Sequence, residues 1–489
     1  MQTTVLLDRA SLNPTPRAER IDRGATRRTR AAVALGVGGL IAVLAGCSTQ
    51  VLRPTIEVPS HFTASAESEA APEVAWWDRF GDPVLSNLVR RAAAENRDVK
   101  IAAERVRAAR AGVTVSRSSL WPNINGTAQS LDQHTHGAPD LDASAGGIGV
   151  SWEIDLSGRL RAGAAAATAD AVAAEDGRRG VVLLVLTDVA SNYFTLVGAL
   201  RQLDTVRAIS AAQDETLRLV TARQRAGLAS PFDVERARTA ASSARAAIPP
   251  LETLAAVSRH RIAVLIGDQA ANAATIVPWT GEAVVPEVES GQPAALLERR
   301  PDLLASRAQL DAANARRKQA AAEWFPRLFT SALFGKQSFA LGAIDVDSAR
   351  FSNVAGLLTA PIFDWGRTRA INEIADSGQH EALIRYEDAI VRALEDVEDT
   401  LVALRDEHQR SDALDSAAAS ADAALGRAQS LYDRGQIDLL PLLDAQRTRL
   451  SVRVDANASS TELRLASVRL FKALGGGWEA FEPVATTEE

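Results

Sequence analysis

The chain is built from an internal repeat. Asn96-Arg97-Asp98-Val99, an arginine-rich helical stretch and Trp121-Pro122-Asn123 recur as Arg300-Pro301-Asp302-Leu303, a similar stretch and Phe325-Pro326-Arg327, 204 positions later. Further on, Ile154-Asp155-Leu156-Ser157-Gly158-Arg159 matches Ile362-Phe363-Asp364-Trp365-Gly366-Arg367, and Arg225-Ala226-Gly227 matches Asp433-Arg434-Gly435, now 208 positions apart. A register that is constant on both sides of one change of length means two copies of one supersecondary unit. The second copy carries four extra residues in its middle segment, where a loop is the expected place for them.

Each copy runs in the same order. Asp82 to Leu120 has helical spacing and no interior proline, and Pro122 ends it. A segment rich in Gly, Ser, Thr and Asn follows, in which Ile148, Val150, Trp152, Ile154 and Leu156 alternate with small or polar residues. That period of two marks a strand with one apolar face. Its partner runs from Asn123 toward Gln129, and Asp132 to Asp140 reads as the connecting loop. In the second copy the hairpin is Arg327 to Gln337 and Ser352 to Phe363, where Pro361 implies a strand end or edge. Gly158 to Gly227 and Gly366 to Gly435 are then 69 residues each, helices of roughly 100 Å at ~1.5 Å per residue. Val185, Val189, Leu196, Leu200 and Leu203 recur at helical spacing, so each long helix must bury a stripe against long neighbours. Each ends at a glycine suited to a left-handed cap, with Arg223 and Arg225, or Arg434, set against the negative end of the helix dipole. A return helix starts at Ser230-Pro231-Phe232-Asp233, with an N-cap serine, proline at N1 and a carboxylate at N3, and Asp438 is placed to cap its counterpart.

Composition narrows the function. Lys and Arg number 54 against 61 Asp and Glu, a net charge of −7, so no nucleic-acid partner is expected. Hydrophobic residues at 46% exclude disorder throughout, and aromatics at 5% favour long helices over a sandwich or an ordinary α/β enzyme. A single cysteine excludes an intrachain disulfide and any multi-cysteine metal site. That cysteine follows Arg9, Arg17, Arg20, Arg23, Arg27, Arg28 and Arg30 and an apolar run from Ala31 to Ala45. The run is too short to span a bilayer and suits a signal-peptide core. It ends in Leu44-Ala45-Gly46-Cys47, which resembles the bacterial lipobox and makes Cys47 the lipidation site; Ser48, in place of an aspartate, fits release to the outer membrane. Arg27-Arg28 as a twin-arginine signal is the weaker reading, because no typical apolar motif follows it directly.

Downstream of Cys47 the longest uninterrupted apolar run, Val181 to Leu186, has six residues, far from the roughly 20 a spanning helix needs. A chain that still crosses a membrane must use strands closed into a barrel. Two copies of the unit supply four strands, and a single-chain barrel needs at least about eight. Three copies supply twelve, so membrane strands imply a homotrimer, with twelve helical columns below the membrane.

At this point the chain resembles the TolC/OprM-type outer-membrane factors, specifically the lipoprotein, NodT-like subgroup of efflux outer-membrane subunits. The resemblance spans nearly all of the mature chain and rests on Trp76-Trp77-Asp78-Arg79-Phe80-Gly81-Asp82-Pro83, Ser151-Trp152-Glu153-Ile154-Asp155-Leu156-Ser157-Gly158-Arg159, Glu298-Arg299-Arg300-Pro301-Asp302 and Ala473-Leu474-Gly475-Gly476-Gly477-Trp478. It implies a mainly α fold with a membrane β-barrel, in which two tandem repeats of helix, β-hairpin, long helix and helix form a trimeric 12-stranded barrel on a 12-helix periplasmic tunnel. It also implies an equatorial collar and a passive channel with no enzymatic activity and no cofactor. The outer-membrane lipid surrounds the barrel, and a periplasmic adaptor protein and an inner-membrane RND-type pump deliver drugs or other small solutes. The organisation expected on this basis is a lipoprotein signal peptide over 1–46, an equatorial segment over 47–81, repeats over 82–267 and 293–474 joined by an equatorial linker at 268–292, and a tail from 475 to 489. The strands are expected at about 123–156 and about 327–363.

The resemblance also assigns sites. Arg225 and Gly227, and Arg434 and Gly435, mark the two turns at the periplasmic tip that meet the adaptor. Asp444 matches a position where three symmetry-related carboxylates ring the aperture, favouring cations. Members of the TolC kind carry a second aspartate three residues earlier, where this chain has Pro441. Asp233 reads as a capping carboxylate rather than a gate element.

Elsewhere the chemistry is thin. His134 and His136 fall in the connecting loop and supply only two ligands, so they do not make a metal site, and Gly475-Gly476-Gly477 follows a helix, so it is a C-cap and not a phosphate cradle. Within the same family, a type I protein-secretion channel is the alternative to efflux, and a periplasmic coiled-coil scaffold with incidental hairpins is the alternative from a different class.

Overall fold

A computed structural model describes residues 50–63, 74–281, 283–288, 291–341 and 343–482. The signal segment, Arg27-Arg28 and Cys47 lie outside the described residues.

The helices are α1 (Pro83–Glu95), α2 (Arg97–Ser118), α3 (Arg159–Arg225), α4 (Pro231–Ala246), α5 (Ile248–Leu265), α6 (Leu296–Arg299), α7 (Pro301–Ala321), α8 (Arg367–Asp433) and α9 (Leu439–Ala473). The strands are β1 (Asn123–Gln133), β2 (Leu141–Ile154), β3 (Arg327–Leu341) and β4 (Ile344–Thr359). The expected first helix is in fact two. The Asn96 side chain accepts from the Asp98 and Val99 amides at 2.8 and 3.2 Å, capping α2, and donates from Nδ2 to the Leu265 carbonyl at 2.8 Å. At the equivalent point of the second copy, Arg300 separates α6 from α7. The first return helix is likewise broken between α4 and α5, where Pro249-Pro250 occupies the start of α5 and cannot continue the hydrogen-bond ladder. Its counterpart α9 is continuous over 35 residues.

The two long helices have 67 residues each. Both follow a glycine in the left-handed region, Gly158 at φ 78° and Gly366 at φ 85°. Helix α3 packs against α2, α4, α5, α7 and α9, and α8 packs against α7 and α9. A protomer therefore has four columns side by side: α2 above α4 and α5, then α3, then α7 above α9, then α8. By composition α3 contains a stretch apolar enough to cross a membrane, although its longest unbroken apolar run is short. That stretch lies in the main core, where Val185, Leu186, Val189, Ala190, Tyr193, Phe194 and Leu196 are buried. Its depth in protein, not in lipid, is what its hydropathy serves.

The same core gathers segments from the start, centre and end of the described chain. Trp76, Trp77 and Phe80 pack on α3 and α9, Trp76 stacking on Phe471 at 5.1 Å and Trp77 on Phe481 at 5.4 Å. The Val284 amide donates to the Phe80 carbonyl at 3.1 Å and Trp478 Nε1 to the Arg299 carbonyl at 3.1 Å, so N-terminal, central and C-terminal segments meet at mid-length. A strap from Val51 to Thr63 lies along α7 and α8: the Leu52 amide donates to Asn314, Thr55 to Glu387 and Thr63 to Glu398. Phe62 anchors it, buried among Leu303, Tyr386 and Ile390.

The strands form one antiparallel sheet in the order β1-β2-β3-β4. The register pairs Asn123 with Ser151, Ile154 with Leu328 and Arg327 with Thr359, so β2 and β3 weld the two repeats together. The first hairpin turns through 134–140, while the second has longer strands that end at Leu341 and resume at Ile344, and Pro361 lies beyond the end of β4. The extra length of the second copy is thus not in its hairpin loop. Most of it is in the strand-to-helix connector, seven residues (360–366) against four (155–158).

Candidate functional site

Pleating sorts the sheet into two faces. Ile124, Ile148, Val150, Trp152 and Ile154 share one with Leu328, Ala332, Phe334, Val354 and Leu358, because their registers pair directly. The other carries Asn123, Asn125, Thr127, Gln129, Ser151, Glu153, Ser331 and Asn353, and on β3 and β4 also Phe329, Leu333, Phe351 and Leu357. On the membrane-proximal part of β1 and β2 the faces separate into apolar and polar, the two surfaces of a barrel wall between lipid and a water-filled channel, while on β3 and β4 both faces carry apolar side chains. Within the protomer β1 and β4 each have one unpaired edge, and an exposed apolar edge is stable only when another strand completes it. The helical columns repeat the pattern: α2 and α5 expose Ile101, Val115, Leu254 and Val257 at one side, and α8 exposes Ile374, Ile384 and Val391 at the other.

Aromatic side chains gather where sheet becomes helix. Trp121, Trp324, Phe363 and Trp365 are exposed, and Phe363 meets Trp365 edge-on at 4.9 Å. Trp365 holds φ 56°, a strained backbone for a bulky residue. The neighbouring Asp364 fixes it: Oδ1 accepts from the Gly366 amide at 3.2 Å and Oδ2 from the Thr368 amide at 2.8 Å. Those Thr368 hydrogen bonds, from hydroxyl and amide, hold the Asp364 carboxyl below the usual range. Asp155 makes the corresponding bonds to the Leu160 and Arg161 amides at 3.2 and 3.0 Å, so an aspartate caps each long helix.

At the far end each tip is a Schellman turn. In the first, Gly227 at φ 76° donates to Gln224 at 3.0 Å and Leu228 to Arg223 at 2.8 Å; in the second, Gly435 at φ 71° donates to Tyr432 at 3.0 Å and Gln436 to Leu431 at 2.9 Å. Ser230 and Asp233 form the complete capping box expected of them. Asp438 does not act as a side-chain cap, since it makes no capping hydrogen bond; the first turn there stays open. Arg225 and both glycines are exposed, beside exposed Leu228 and Phe232. Arg434 folds back onto Ser430, with Nε on the carbonyl at 3.0 Å. Val220, Val234, Tyr432, Leu439 and Leu442 make a small core that joins the tips.

Asp444 is exposed on α9, and Arg447 Nη2 donates to its Oδ1 at 2.8 Å. The sequence reading missed this partner, although i,i+3 spacing was there to signal it. It also missed Asp422, which ties α8 to α9 through Arg449 at 2.6 Å and through Arg453. The Arg453 hydrogen bond, then that of Arg449, pulls the Asp422 carboxyl below its ordinary value against the opposing effect of burial. His134 lies between Asp132 and Asp140, at 2.9 and 3.7 Å. Among the described residues no group of three or more His, Cys, Asp or Glu side chains is placed to hold a metal.

The outer membrane efflux protein family matches residues 88–268 and 293–476. The chain belongs to that family. It is 30% identical over 465 residues to the outer membrane protein OprJ of Pseudomonas aeruginosa, covering 91% of this chain and 96% of that protein. It is 32% identical over 445 residues to the pyoverdine export outer membrane protein OpmQ of the same organism, covering 86% and 90%. The solved outer-membrane channel OprN superposes with a TM-score of 0.81 at 28% identity, over 88% of this chain and 99% of that one. The chain is therefore an outer-membrane efflux channel subunit, its sheet in the membrane and its long helices in the periplasm.

Proposed function

We propose that three copies of this chain close one conduit, in which β4 and α8 of each protomer meet β1, α2 and α5 of the next. The observation that carries this reading is that unpaired strand edges and exposed apolar helix stripes fall on the same two sides of the protomer. A heterologous contact of that kind closes into a ring, and twelve strands make a barrel where four cannot. The conduit is a passive exit duct that performs no chemistry; solutes reach it from an inner-membrane RND-type pump through a periplasmic adaptor. The native mass of the detergent-solubilised protein and its conductance in planar bilayers test this: a trimer with discrete openings supports it, and a non-conducting monomer overturns it.

The tips are the adaptor contacts. Arg225, Gly227, Arg434 and Gly435 present flat, exposed turns, with Leu228 and Phe232 as apolar anchors. Gly227→Asp with Gly435→Asp should sensitise cells to pump substrates at unchanged trimer yield, and unchanged resistance counts against docking there. Asp444 lines the aperture as an Asp444–Arg447 pair, so its ring favours cations less than three bare carboxylates would.

Cys47 carries the lipid. Leu52 is held at Asn314, whose Oδ1 also accepts from Gln379 at 2.6 Å. Gln379 lies twelve residues below the start of α8, about 18 Å at ~1.5 Å per residue. Cys47→Ser should abolish palmitate labelling.

A further inference from the structure

Two basic residues on the lipid-facing side of the sheet remain unused by the conduit. Lys336 on β3 and Arg350 on β4 are direct register partners, both exposed, and the pleat puts them on the same face as Ile148, Val150, Phe334 and Val354. They are the only Lys or Arg on that face of the four strands, and neither makes an ion pair or hydrogen bond among the described residues. An unpaired cation facing hydrocarbon is costly, so their depth decides what they meet.

The outward apolar rows begin at Ile154, Leu328 and Leu358 on the periplasmic side. Lys336 and Arg350 stand eight residues further along β3 and β4. At ~3.3 Å per residue and a tilt of about 40°, that is roughly 20 Å of height. An apolar band of about 25 Å then ends within reach of their flexible stems, which carry the charge upward. Above them the same face turns polar, through Ser144 and Ser338, which share a hydrogen bond of 2.8 Å, to Asp142 and its register partner Asp132, and to Asp345. On this face the β2 register partner of Lys336 is Gly146, which adds no side chain beside the two cations.

We propose that Lys336 and Arg350 form, once per subunit, a docking site for the phosphate groups of the phosphorylated glycolipid in the outer leaflet. Two cations side by side at headgroup depth match a phosphomonoester on an acylated sugar: the charges meet the phosphate, and the acyl chains lie on the Ile148, Phe334 and Val354 rows below. A carboxylate row above the site suits divalent cations that bridge neighbouring headgroups. Inner-leaflet phospholipid does not reach this height, which is why the glycolipid is the occupant.

The test uses the full-length protein in detergent, titrated with bisphosphorylated lipid A and read by native mass spectrometry. Retention of up to three lipids per trimer is expected, with at least a tenfold loss for Lys336→Ser/Arg350→Ser and for dephosphorylated lipid A. The charge-preserving Lys336→Arg/Arg350→Lys should retain binding. If the double serine variant fails to assemble, Lys336→Gln and Arg350→Gln, each alone, should still weaken retention severalfold in folded trimers. Equal retention by wild type and the folded variants overturns the site, and equal retention of phosphatidylglycerol and lipid A overturns the glycolipid as its occupant.

Discussion

The guanidinium of Arg223, in the last turn of α3, lies 4.3 Å from the centroid of the Tyr432 ring, in the last turn of α8. One repeat thus reaches across to grip the other at the periplasmic end, above a core of Val220, Leu439 and Leu442. A cation–π contact at a partly exposed site contributes about 0.5–1 kcal/mol. Arg223→Ala should therefore raise amide hydrogen exchange in both tips by roughly two- to fivefold, while Tyr432→Phe, which keeps the ring, should not. Exchange that rises in neither tip would show that the contact contributes nothing.

Midway along the tunnel, Gly198 of α3 faces Thr461 of α9, and a methyl built on the glycine would overlap the threonine side chain. Gly198→Ala should lower stability by about 1–3 kcal/mol, as overpacking of a close helix contact does. Thr461→Ala in the same chain removes two of the three overlapping atoms and should recover most of the loss. Thermal unfolding of the four variants in detergent decides the matter, and additive losses would refute the close approach.

Asp422 links stability to acid. Its folded carboxyl titrates below the ordinary value of 3.8 because Arg453 and then Arg449 hydrogen-bond the charged form. The stabilisation is therefore complete above the unfolded value and is lost as pH falls through the folded one. The stability difference between wild type and Asp422→Asn should stay constant from neutral pH to about 5 and shrink below 3.8. A difference that already shrinks between pH 7 and 5 would contradict the assignment.

Arg300 is the buried counterpart of Asn96. Its guanidinium donates to the Ala473 carbonyl at 3.1 Å and to the Ala393 carbonyl at 3.4 Å, and it pairs with Asp302 at 2.8 Å and Asp396 at 3.0 Å. Both carboxylates are more than half exposed, so water can solvate them if the arginine is removed. The stranded carbonyls cannot be rescued that way. Arg300→Met should cost about 1–3 kcal/mol, and Arg300→Lys, lacking the fork, should recover only part of it. Wild-type urea unfolding of Arg300→Met would show that water repairs the site.

Much of this was legible along the chain. The repeat, the two long helices with their glycine ends, the capping box at Ser230 and the alternation around Ile148 all follow from residues near one another in sequence, where period and backbone preference act. The break before Pro249-Pro250 was equally local and was passed over. The division of the first helix at Asn96 was not local, because Asn96 caps α2 while also reaching the Leu265 carbonyl 169 residues away. The register of β2 on β3, the grip of Arg223 on Tyr432 and the burial of the apolar middle of α3 likewise depend on which surfaces meet. Local sequence fixes what each segment can become; only packing between distant segments decides which polar groups find partners and which edges stay open, and those open edges are what make the protomer part of a channel.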